Sequence, residues 1–389
     1  MIKVYTDVSM IMIGTSFTGI PRVVMELVKR LDKRSELDLV FIEYDSQSDA
    51  YRILDRNLFV SFCTTKTDKR NDIRTDEFLS FDDFEKDSIF FDCDTVWKTR
   101  VKRSFLYPLL KKKGVKIVPF IQDIIGIDYP QFCDKSDVLN FIDFIGASFL
   151  YSDKILVTSQ TTKNALLAHE KNMEVSLPEI GIVPLGGDFL KKNEDTSNVS
   201  EKIKEIASAG KYILMVGTVE PRKNHKLLLE CFQKHLRGWM NVVVAGYSGQ
   251  GMNEFFEKLT KDPDYGKKIW HIDNATDSEI DYLYKNCFAM VFPSYIEGYG
   301  LPIIESLVRD VPVIAADNEI NREIGGERAL YFPQDNSVIL ANMLFSLVNS
   351  PKEYNELKER IKGFVPKTWD ETSDCVIKEL TEVNGKTAL

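Results

Sequence analysis

Cysteine and histidine are scarce in this chain of 389 residues, and neither is spaced like a metal site. The six cysteines lie 30 or more residues apart without a CxxC pair, and the four histidines show no HExxH spacing. Zinc sites and disulfide frameworks are normally recognisable in a sequence by such spacings. We therefore expect reduced, mostly buried thiols and no structural metal.

Long apolar runs and an excess of basic residues are also missing. No stretch approaches the roughly 18 apolar residues that a membrane span requires, and residues 1–7 look like a strand rather than a signal peptide. Lys and Arg number 50 against 59 Asp and Glu, so the net charge of −9 disfavours binding to duplex nucleic acid. We expect a cytoplasmic protein with no nucleic-acid partner.

The sequence does contain a regular alternation of short Val- and Ile-rich runs with segments of helical period. This pattern is typical of α/β proteins, and the length of 389 residues suits two domains. The polar stretch 189–210 predicts a linker between a domain over 1–188 and a domain over 211–369. Residues 370–389 should form a C-terminal helix that packs back on the body.

The segment from Cys287 to Val308 has the pattern of a strand, a glycine-containing loop and a helix. Gly298 and Gly300 allow a ligand to approach the backbone closely, and Pro302 suits the first turn of a helix that begins at Leu301. A helix N-terminus offers unpaired N–H groups and partial positive charge. This loop is therefore a candidate diphosphate site.

Two acids of this segment are candidate functional residues. Glu297 lies in the loop, where it can reach a reacting centre, and Glu305 lies about one turn into the helix, where it can accept hydrogen bonds from vicinal hydroxyls. The alternative is structural: an ordinary loop acid and an acid favoured near a helix N-terminus.

Here the sequence resembles the retaining glycosyltransferases with two facing Rossmann-like domains (the GT-B fold), specifically the GT4-like group with an E-x7-E motif. Glu297 and Glu305 have that spacing, and residues 310–316 (DVPVIAA) are similar to the family's Gly-x-Pro-Val-Val strand, with Asp310 in place of Gly. The resemblance implies an N-terminal acceptor-binding domain and a C-terminal nucleotide-sugar-binding domain. It also implies that Glu305 holds the ribose hydroxyls and that Glu297 stabilises positive charge on the donor sugar.

A second loop, in residues 216–229 (VGTVEPRKNHKLLL), again lies between a predicted strand and helix, with Asn224 as a candidate N-cap. In the resembled family an Arg and a Lys of this loop hold the donor diphosphate, and Arg222 and Lys223 match them. Thr218 stands where many relatives carry a further Arg, so either Arg222 compensates or the phosphate is held more weakly. A surface basic pair beside a helix is the alternative.

The N-terminal half resembles, more narrowly, bacterial mannosyltransferases that build surface polysaccharides. Asp7-Val8-Ser9 followed by residues 18–24 (TGIPRVV) matches their opening, and Gly19 would bring backbone N–H groups to the donor phosphate. A glycine that merely closes a turn is the alternative.

Residues 120–130 (FIQDIIGIDYP) resemble a His-Asp stretch of the same family, with Gln122 in place of His. Asp123 is then the polar candidate from this domain. Its carboxylate is expected either to accept the proton of the incoming acceptor hydroxyl or to cap a helix.

Two further patterns carry less weight. Asp92-Cys93-Asp94 has the D-x-D form of metal-binding glycosyltransferases of the other fold, but we attribute it to chance in an acid-rich stretch. Residues 98–116 hold eight basic residues and no acid. They predict either a face that meets anionic lipid or a lipid-pyrophosphate acceptor, or an ordinary helix with its apolar side in the core.

These residues predict a glycosyltransferase that moves a hexosyl unit to a glycan or lipid-linked glycan acceptor with retention of configuration. The mannosyl unit is the first candidate. The donor would be a nucleoside diphosphate sugar, with GDP-mannose as a candidate, and the product a surface polysaccharide or O-antigen. No metal or other cofactor is expected. The alternatives are a nucleotide-sugar epimerase or hydrolase on the same scaffold, or a non-catalytic glycan-binding or scaffold protein. The predicted site comprises catalytic Glu297 and Asp123, with Gly19, Arg222, Lys223, Gly298, Gly300, Leu301 and Glu305 as donor-binding residues.

Overall fold

The computed structural model describes residues 1–14, 19–67, 69–173, 175–188, 198–249 and 251–385. The chain divides into two compact units, the first comprising Met1–Gly186 with Lys367–Leu389 and the second Gly187–Pro366. Both units are built from a largely parallel sheet and its connecting helices, which confirms the predicted α/β class. The first part of the predicted linker, residues 189–197, lies outside the described residues.

The first unit contains an eight-stranded sheet. Its strands are β1 Ile2–Asp7, β2 Leu37–Asp45, β3 Ala50–Leu54, β4 Arg74–Leu79, β5 Ile89–Asp92, β6 Lys116–Ile121, β7 Ile155–Val157 and β8 Ile180–Ile182. Their order is β4-β3-β2-β1-β5-β6-β7-β8; β3 pairs antiparallel with both β2 and β4, and the other pairs are parallel. Apolar runs in the sequence predict strands at 2–6, 37–43, 88–91, 115–121 and 154–158, which correspond to β1, β2, β5, β6 and β7. The sequence pattern does not indicate β3 and β4, which contain charged residues, or β8, which is only Ile-Gly-Ile.

The helices of this unit connect those strands. They are α1 Ser9–Ile13, α2 Ile20–Leu31, α3 Arg56–Thr65, α4 Arg70–Ile73, α5 Arg103–Lys112, α6 Ile125–Asp128, α7 Lys135–Tyr151 and α8 Gln160–Met173. The apolar residues of α2 recur at helical spacing, and Val23, Val24, Leu27 and Leu31 are all buried. Sequence periodicity therefore sets which face of α2 meets the sheet.

The second unit contains a six-stranded parallel sheet. Its elements are α9 Glu201–Ser208, β9 Tyr212–Val216, α10 His225–Cys231, β10 Asn241–Ala245, α11 Asn253–Thr260, β11 Ile269–Ile272, α12 Asp277–Asn286, β12 Ala289–Phe292, α13 Leu301–Leu307, β13 Val313–Ala316, α14 Glu319–Gly325, β14 Ala329–Phe332, α15 Ser337–Asn349 and α16 Pro351–Ile361. The strand order is β11-β10-β9-β12-β13-β14. Every residue of β12 and β13 is buried, which explains why these strands appear in the sequence as continuous apolar runs.

Helix α9 lies inside the range that the sequence predicted as a linker. Its Ile203 and Ile206 are buried in the core of the second unit. An amphipathic helix of eight residues in a polar stretch is easily mistaken for a linker, because only one side of it is apolar.

The C-terminal helix, α17 Trp369–Val383, belongs to the first unit. Arg34 of α2 pairs with Asp374 (2.6 Å), and the buried Lys154 pairs with Glu382 (2.9 Å), Glu179 (3.2 Å) and Glu379. The predicted packing of this helix on the body is thus confirmed, and the unit that receives it is the N-terminal one.

Candidate functional site

The two sequence motifs of the second unit lie at the same edge of its sheet. Residues 217–224 follow β9 and residues 293–300 follow β12, and these two strands are parallel neighbours. The chain runs from β9 outward through β10 and β11 and then returns to β12 on the opposite side of β9. Open α/β sheets bind ligands preferentially where the strand order reverses in this way, beyond the carboxyl ends of the strands.

Direct contacts join the two loops. Tyr295 N donates a hydrogen bond to the carbonyl O of Arg222 (2.8 Å), and Arg222 Nη1 donates to the carbonyl O of Ile296 (3.3 Å). Asp335, which follows β14, accepts from Asn224 Nδ2 (3.2 Å) and from the hydroxyl of Tyr295. The structure therefore assembles both motifs into one cluster.

Glu297 bridges the two cations of that cluster. Arg222 Nη1 donates to Glu297 Oε2 (2.6 Å) and Lys223 Nζ donates to Glu297 Oε1 (2.9 Å). The side chains of Lys223 and Glu297 are only 8% and 9% exposed. Burial raises the pKa of Glu297, but the charges of Arg222 and Lys223 outweigh it and lower the pKa to about 2. Glu297 is therefore an ionised carboxylate held by two cations.

A second acid contacts the same guanidinium group. Arg222 Nη2 lies 2.6 Å from Glu220 Oε1, so the charges of two acids and two bases balance within the cluster. His225, the first residue of α10, is buried beside it. Burial and the nearby Lys223 lower the pKa of His225 to about 3, so its imidazole is neutral.

Positive φ angles at Gly217 and Asn224 shape the backbone around the first loop. Gly217 has φ +133°, and a Cβ added there would lie 3.2 Å from Lys223 Nζ, so this position suits glycine. Asn224 has φ +57° and makes no side-chain cap to α10, contrary to the predicted N-cap role. N-cap residues normally have extended backbone, and the left-handed Asn224 directs its amide to Asp335 instead.

The glycine loop leads into α13, which begins at Leu301 as predicted. Gly300 has φ +100°, a conformation that favours glycine, and Pro302 occupies the first turn. Gly298 lies in the same loop and is half-buried. Asp310, which stands where the resembled family has glycine, has φ +54°, a left-handed conformation that Asp tolerates.

Glu305 is a buried carboxylate on α13, with 7% exposure. Its Oε2 accepts a hydrogen bond from the hydroxyl of Tyr284 (2.9 Å), and no donor among the described residues pairs with Oε1. Arg309 Nη1 donates to the backbone O of Glu305 (2.9 Å), and Arg309 Nε donates to Asp281 Oδ1 (2.7 Å).

Comparison with known protein families finds a match that lies within the second unit. Residues 197–364 match the family described as glycosyl transferases group 1. This part of the chain is thus similar to the group 1 glycosyltransferases, and we refer to the matched residues, 197–364, as the group 1 domain. The match covers the cluster of Arg222, Lys223 and Glu297 as well as Glu305.

Relatives are similar beyond the group 1 domain. The chain is 24% identical over 393 residues, 97% of its length, to serotype-specific mannosyltransferase WbdA of Escherichia coli, and it covers 46% of that protein. It is 32% identical over 140 residues to O-antigen chain mannosyltransferase B of Escherichia coli, which is 35% of this chain and 36% of that one. The chain thus spans about half the length of WbdA.

A solved structure has the same fold. The structure of Anabaena HepE in complex with UDP-glucose matches with a TM-score of 0.63 at 11% identity, covering 99% of this chain and 98% of that one. This likeness is one of fold, and it confirms the predicted GT-B class with two Rossmann-like domains.

The candidate residues outside the group 1 domain follow β1 and β6. Gly19 directly precedes α2 and has φ +63°, a conformation that favours glycine, whereas Thr18 lies outside the described residues. Asp123 Oδ1 accepts from Ile125 N (3.0 Å) at the start of α6, which is a capping role. Gln122 is buried, and its Nε2 has no hydrogen-bond partner in the part of the chain that the structure describes.

The D-x-D acids are engaged inside the first unit. Asp92 pairs with the buried Arg103 (2.6 Å), which also pairs with Asp7 (2.8 Å). Asp94 accepts from the backbone N of Ile11 (3.1 Å), and burial raises the pKa of Asp94 to about 7. These contacts give both acids a role in holding the carboxyl ends of β1 and β5 together.

The basic stretch 98–116 is largely paired with acids. The ion pairs are Lys98–Asp137 (2.9 Å), Arg103–Asp92 (2.6 Å), Lys111–Asp153 (2.9 Å), Lys113–Asp82 (2.7 Å) and Lys116–Asp153 (3.5 Å). Beside α5, helix α7 exposes Leu139, Ile142 and Leu150, at 69%, 49% and 63%; we call these three residues the α7 stripe. No helix in the described ranges combines the length and apolarity needed to cross a bilayer.

Sequence reasoning missed three residues of the group 1 domain. Glu220 directly precedes Pro221, and an acid beside two bases was a signal that could have been used. Tyr284 lies on the preceding helix and Asp335 after the last strand, so only folding brings them to the motifs.

Proposed function

We propose that the protein is a retaining glycosyltransferase that moves a hexosyl unit from a nucleoside diphosphate sugar to a glycan acceptor. We further propose that the unit is mannosyl and that the product is a surface polysaccharide or O-antigen. The cluster of Arg222, Lys223 and Glu297 at the reversal of strand order in the group 1 domain carries this proposal. The names of WbdA and mannosyltransferase B support the mannosyl unit, and the UDP-glucose bound by HepE supports a nucleotide sugar as donor.

In this proposal Arg222 and Lys223 neutralise the charge that grows on the leaving diphosphate. Preorganised cations stabilise such charge strongly, because they need no reorganisation during the reaction. Backbone N–H groups at Gly298, Gly300 and Leu301 would add hydrogen bonds to the same phosphates, and Gly19 is proposed to contribute one more.

Glu305 would accept hydrogen bonds from the ribose, and Glu297 would stabilise positive charge on the donor sugar. Two cations hold the Glu297 carboxylate, which makes it a poor nucleophile. This favours departure and attack on the same face of the sugar over a covalent glycosyl-enzyme.

Asp123 is proposed to accept the proton of the acceptor hydroxyl. Because its Oδ1 also caps α6, the test needs a variant that keeps this hydrogen bond. Asp123→Asn retains an amide oxygen as acceptor, so it should lower turnover while the melting temperature stays unchanged. Equal turnover of Asp123→Asn and wild type would assign Asp123 to capping alone.

The decisive experiment is a donor screen with GDP-mannose, UDP-glucose and dTDP-rhamnose. Nucleotide release that requires a glycan acceptor, with the product's anomeric configuration read by NMR, would support the proposal. Conversion of a nucleotide sugar without acceptor would indicate the epimerase or hydrolase alternative. Absence of release from every donor would favour the glycan-binding or scaffold alternative.

We also propose peripheral contact with an anionic membrane at the inner face of the cell, made by the α7 stripe with the basic residues of 98–116. The ion pairs within that stretch weaken its electrostatic attraction, whereas three exposed apolar side chains on one helix face suit insertion among lipid headgroups. Replacing the α7 stripe by glutamine should release the protein from anionic vesicles in cosedimentation. No wild-type binding to such vesicles at low salt would contradict this proposal.

A further inference from the structure

Glu305 is a buried carboxylate that the fold leaves half satisfied. Its Oε2 receives the Tyr284 hydroxyl at 2.9 Å, while no donor among the described residues pairs with Oε1. A carboxylate offers about four lone-pair sites. Oε1 is not among the described side-chain atoms that are both fully buried and unpaired, so this oxygen keeps contact with solvent. It is therefore open to a ligand that carries hydroxyl donors.

Tyr284 is held rigidly. It is fully buried on α12, a helix whose start carries a reciprocal capping box formed by Thr276 and Glu279. The guanidinium of Arg309 lies 5.1 Å from the centre of the Tyr284 ring, and Arg309 is itself anchored to Asp281 of the same helix.

The Tyr284 hydroxyl has one proton to donate, and the acceptor of that hydrogen bond is the carboxylate of Glu305. The other acceptor within reach, the carbonyl O of Pro302, lies at 3.5 Å, compared with 2.9 Å for Glu305 Oε2. Burial and the charge of Glu305 raise the pKa of Tyr284 well above its ordinary value. The hydroxyl thus stays protonated and remains a donor.

We propose that Tyr284 is a positioning residue that fixes the rotamer of Glu305, so that Oε1 accepts hydrogen bonds from the ribose hydroxyls of the nucleotide. This inference rests on the proposed function, since it assigns Glu305 a ribonucleotide ligand. Preorganising the carboxylate removes the cost of ordering a long side chain when the nucleotide binds.

The test compares Tyr284→Phe with a matched control, Tyr212→Phe. Tyr212 is also fully buried, and its hydroxyl donates to the carbonyl O of Leu283 on the same helix (2.6 Å). Each variant loses one buried tyrosine hydroxyl. The Tyr212 hydroxyl contacts the backbone of α12, whereas the Tyr284 hydroxyl contacts Glu305. Calorimetry would measure binding of GDP and UDP and of their 2′,3′-dideoxy counterparts.

We expect Tyr284→Phe to weaken binding of the ribonucleotide by about five- to tenfold, which lies within the net value of one ordinary hydrogen bond, because the nucleotide must then order the freed carboxylate. Binding of the dideoxy nucleotide should not change, and Tyr212→Phe should leave both affinities within about twofold of wild type. In a Glu305→Ala background the effect of Tyr284→Phe should disappear.

Three results would overturn the inference while the proposed function stands: ribonucleotide affinity unaffected by Tyr284→Phe, equal weakening of ribo- and dideoxynucleotide, or equal weakening by both tyrosine variants. Failure of the wild type to bind either ribonucleotide would instead overturn the proposed function, and the inference with it.

Discussion

Replacing Glu297 by Gln should tighten the binding of a nucleoside diphosphate, even though it should lower turnover. Glu297 contacts both cations that are proposed to hold the diphosphate, so it competes with the phosphates for them. Gln has the same shape and keeps an amide oxygen as acceptor. The substitution changes the cluster of Glu220, Arg222, Lys223 and Glu297 from balanced to one excess positive charge.

The distances set the expected magnitude. Glu297 Oε1 lies 2.9 Å from Lys223 Nζ. A phosphate oxygen on the far side of the same ammonium would lie about 6 Å from the carboxylate, and two unit charges at that separation repel by about 3 kcal/mol at an effective dielectric constant of about 20. Allowing for solvent and salt screening, we expect a gain of about 1–3 kcal/mol, or roughly 5- to 150-fold in Kd.

Calorimetric titration of GDP and UDP at low and high salt is the assay, with steady-state turnover measured in parallel. Asp262→Asn is the matched control, because Asp262 is a buried acid that pairs with Arg237 (2.8 Å) elsewhere in the same unit, and it should leave affinity unchanged. Glu220→Gln, which touches Arg222 but not Lys223, should tighten binding less than Glu297→Gln. A folded Glu297→Gln variant that binds both nucleotides no more tightly than wild type would refute the reasoning.

Lys223→Ala should raise KM for the donor and lower kcat, because the charge it meets grows toward the transition state; unchanged steady-state kinetics would show that Lys223 has no part in the reaction. Asp94 has a folded pKa of about 7 against an ordinary value of 3.8, so its contribution to stability is most favourable below about pH 4 and declines as the pH rises through 7. Urea unfolding should therefore show wild type losing stability relative to Asp94→Asn between pH 5 and pH 8, whereas parallel curves would contradict the raised pKa. Burial lowers the pKa of Lys154, but hydrogen bonds to Glu379, Glu382 and Glu179 outweigh it and raise the pKa, so the ammonium is charged among three acids. Lys154→Met should cost about 3–5 kcal/mol, lower the melting temperature and expose α17 to protease, and an unaltered melting temperature would argue against it.

Local patterns determined the elements that carry the site. Continuous apolar runs predicted β9, β12 and β13, because strands buried on both faces have no polar side to display. The pair Gly300 and Pro302 predicted where α13 begins, since backbone conformation at these positions depends on the residues themselves.

The sequence did not predict elements whose strand pairing or packing depends on residues far away in the chain. The edge strands β3 and β4 are recognisable mainly by their antiparallel pairing, and α17 shows an amphipathic face without showing which unit receives it. Asn224 looked like an N-cap because residue type suggests the role, but the left-handed backbone set by its loop directs the side chain to Asp335.

By itself the sequence determined the fold class and the two motifs of the candidate site, because strand and helix periods, glycine loops and motif spacing are properties of neighbouring residues. Only the tertiary structure decided how those motifs act together. Arg222 and Glu297, 75 residues apart, meet because β9 and β12 are neighbours in the sheet, and Tyr284 reaches Glu305 because α12 packs beside α13. The same holds for residues 98–116, whose positive charge is conspicuous in the sequence and partly neutralised in the fold by acids from other segments. Charge and hydrogen bonding act over a few ångströms in space, and the order of residues along the chain does not specify those distances.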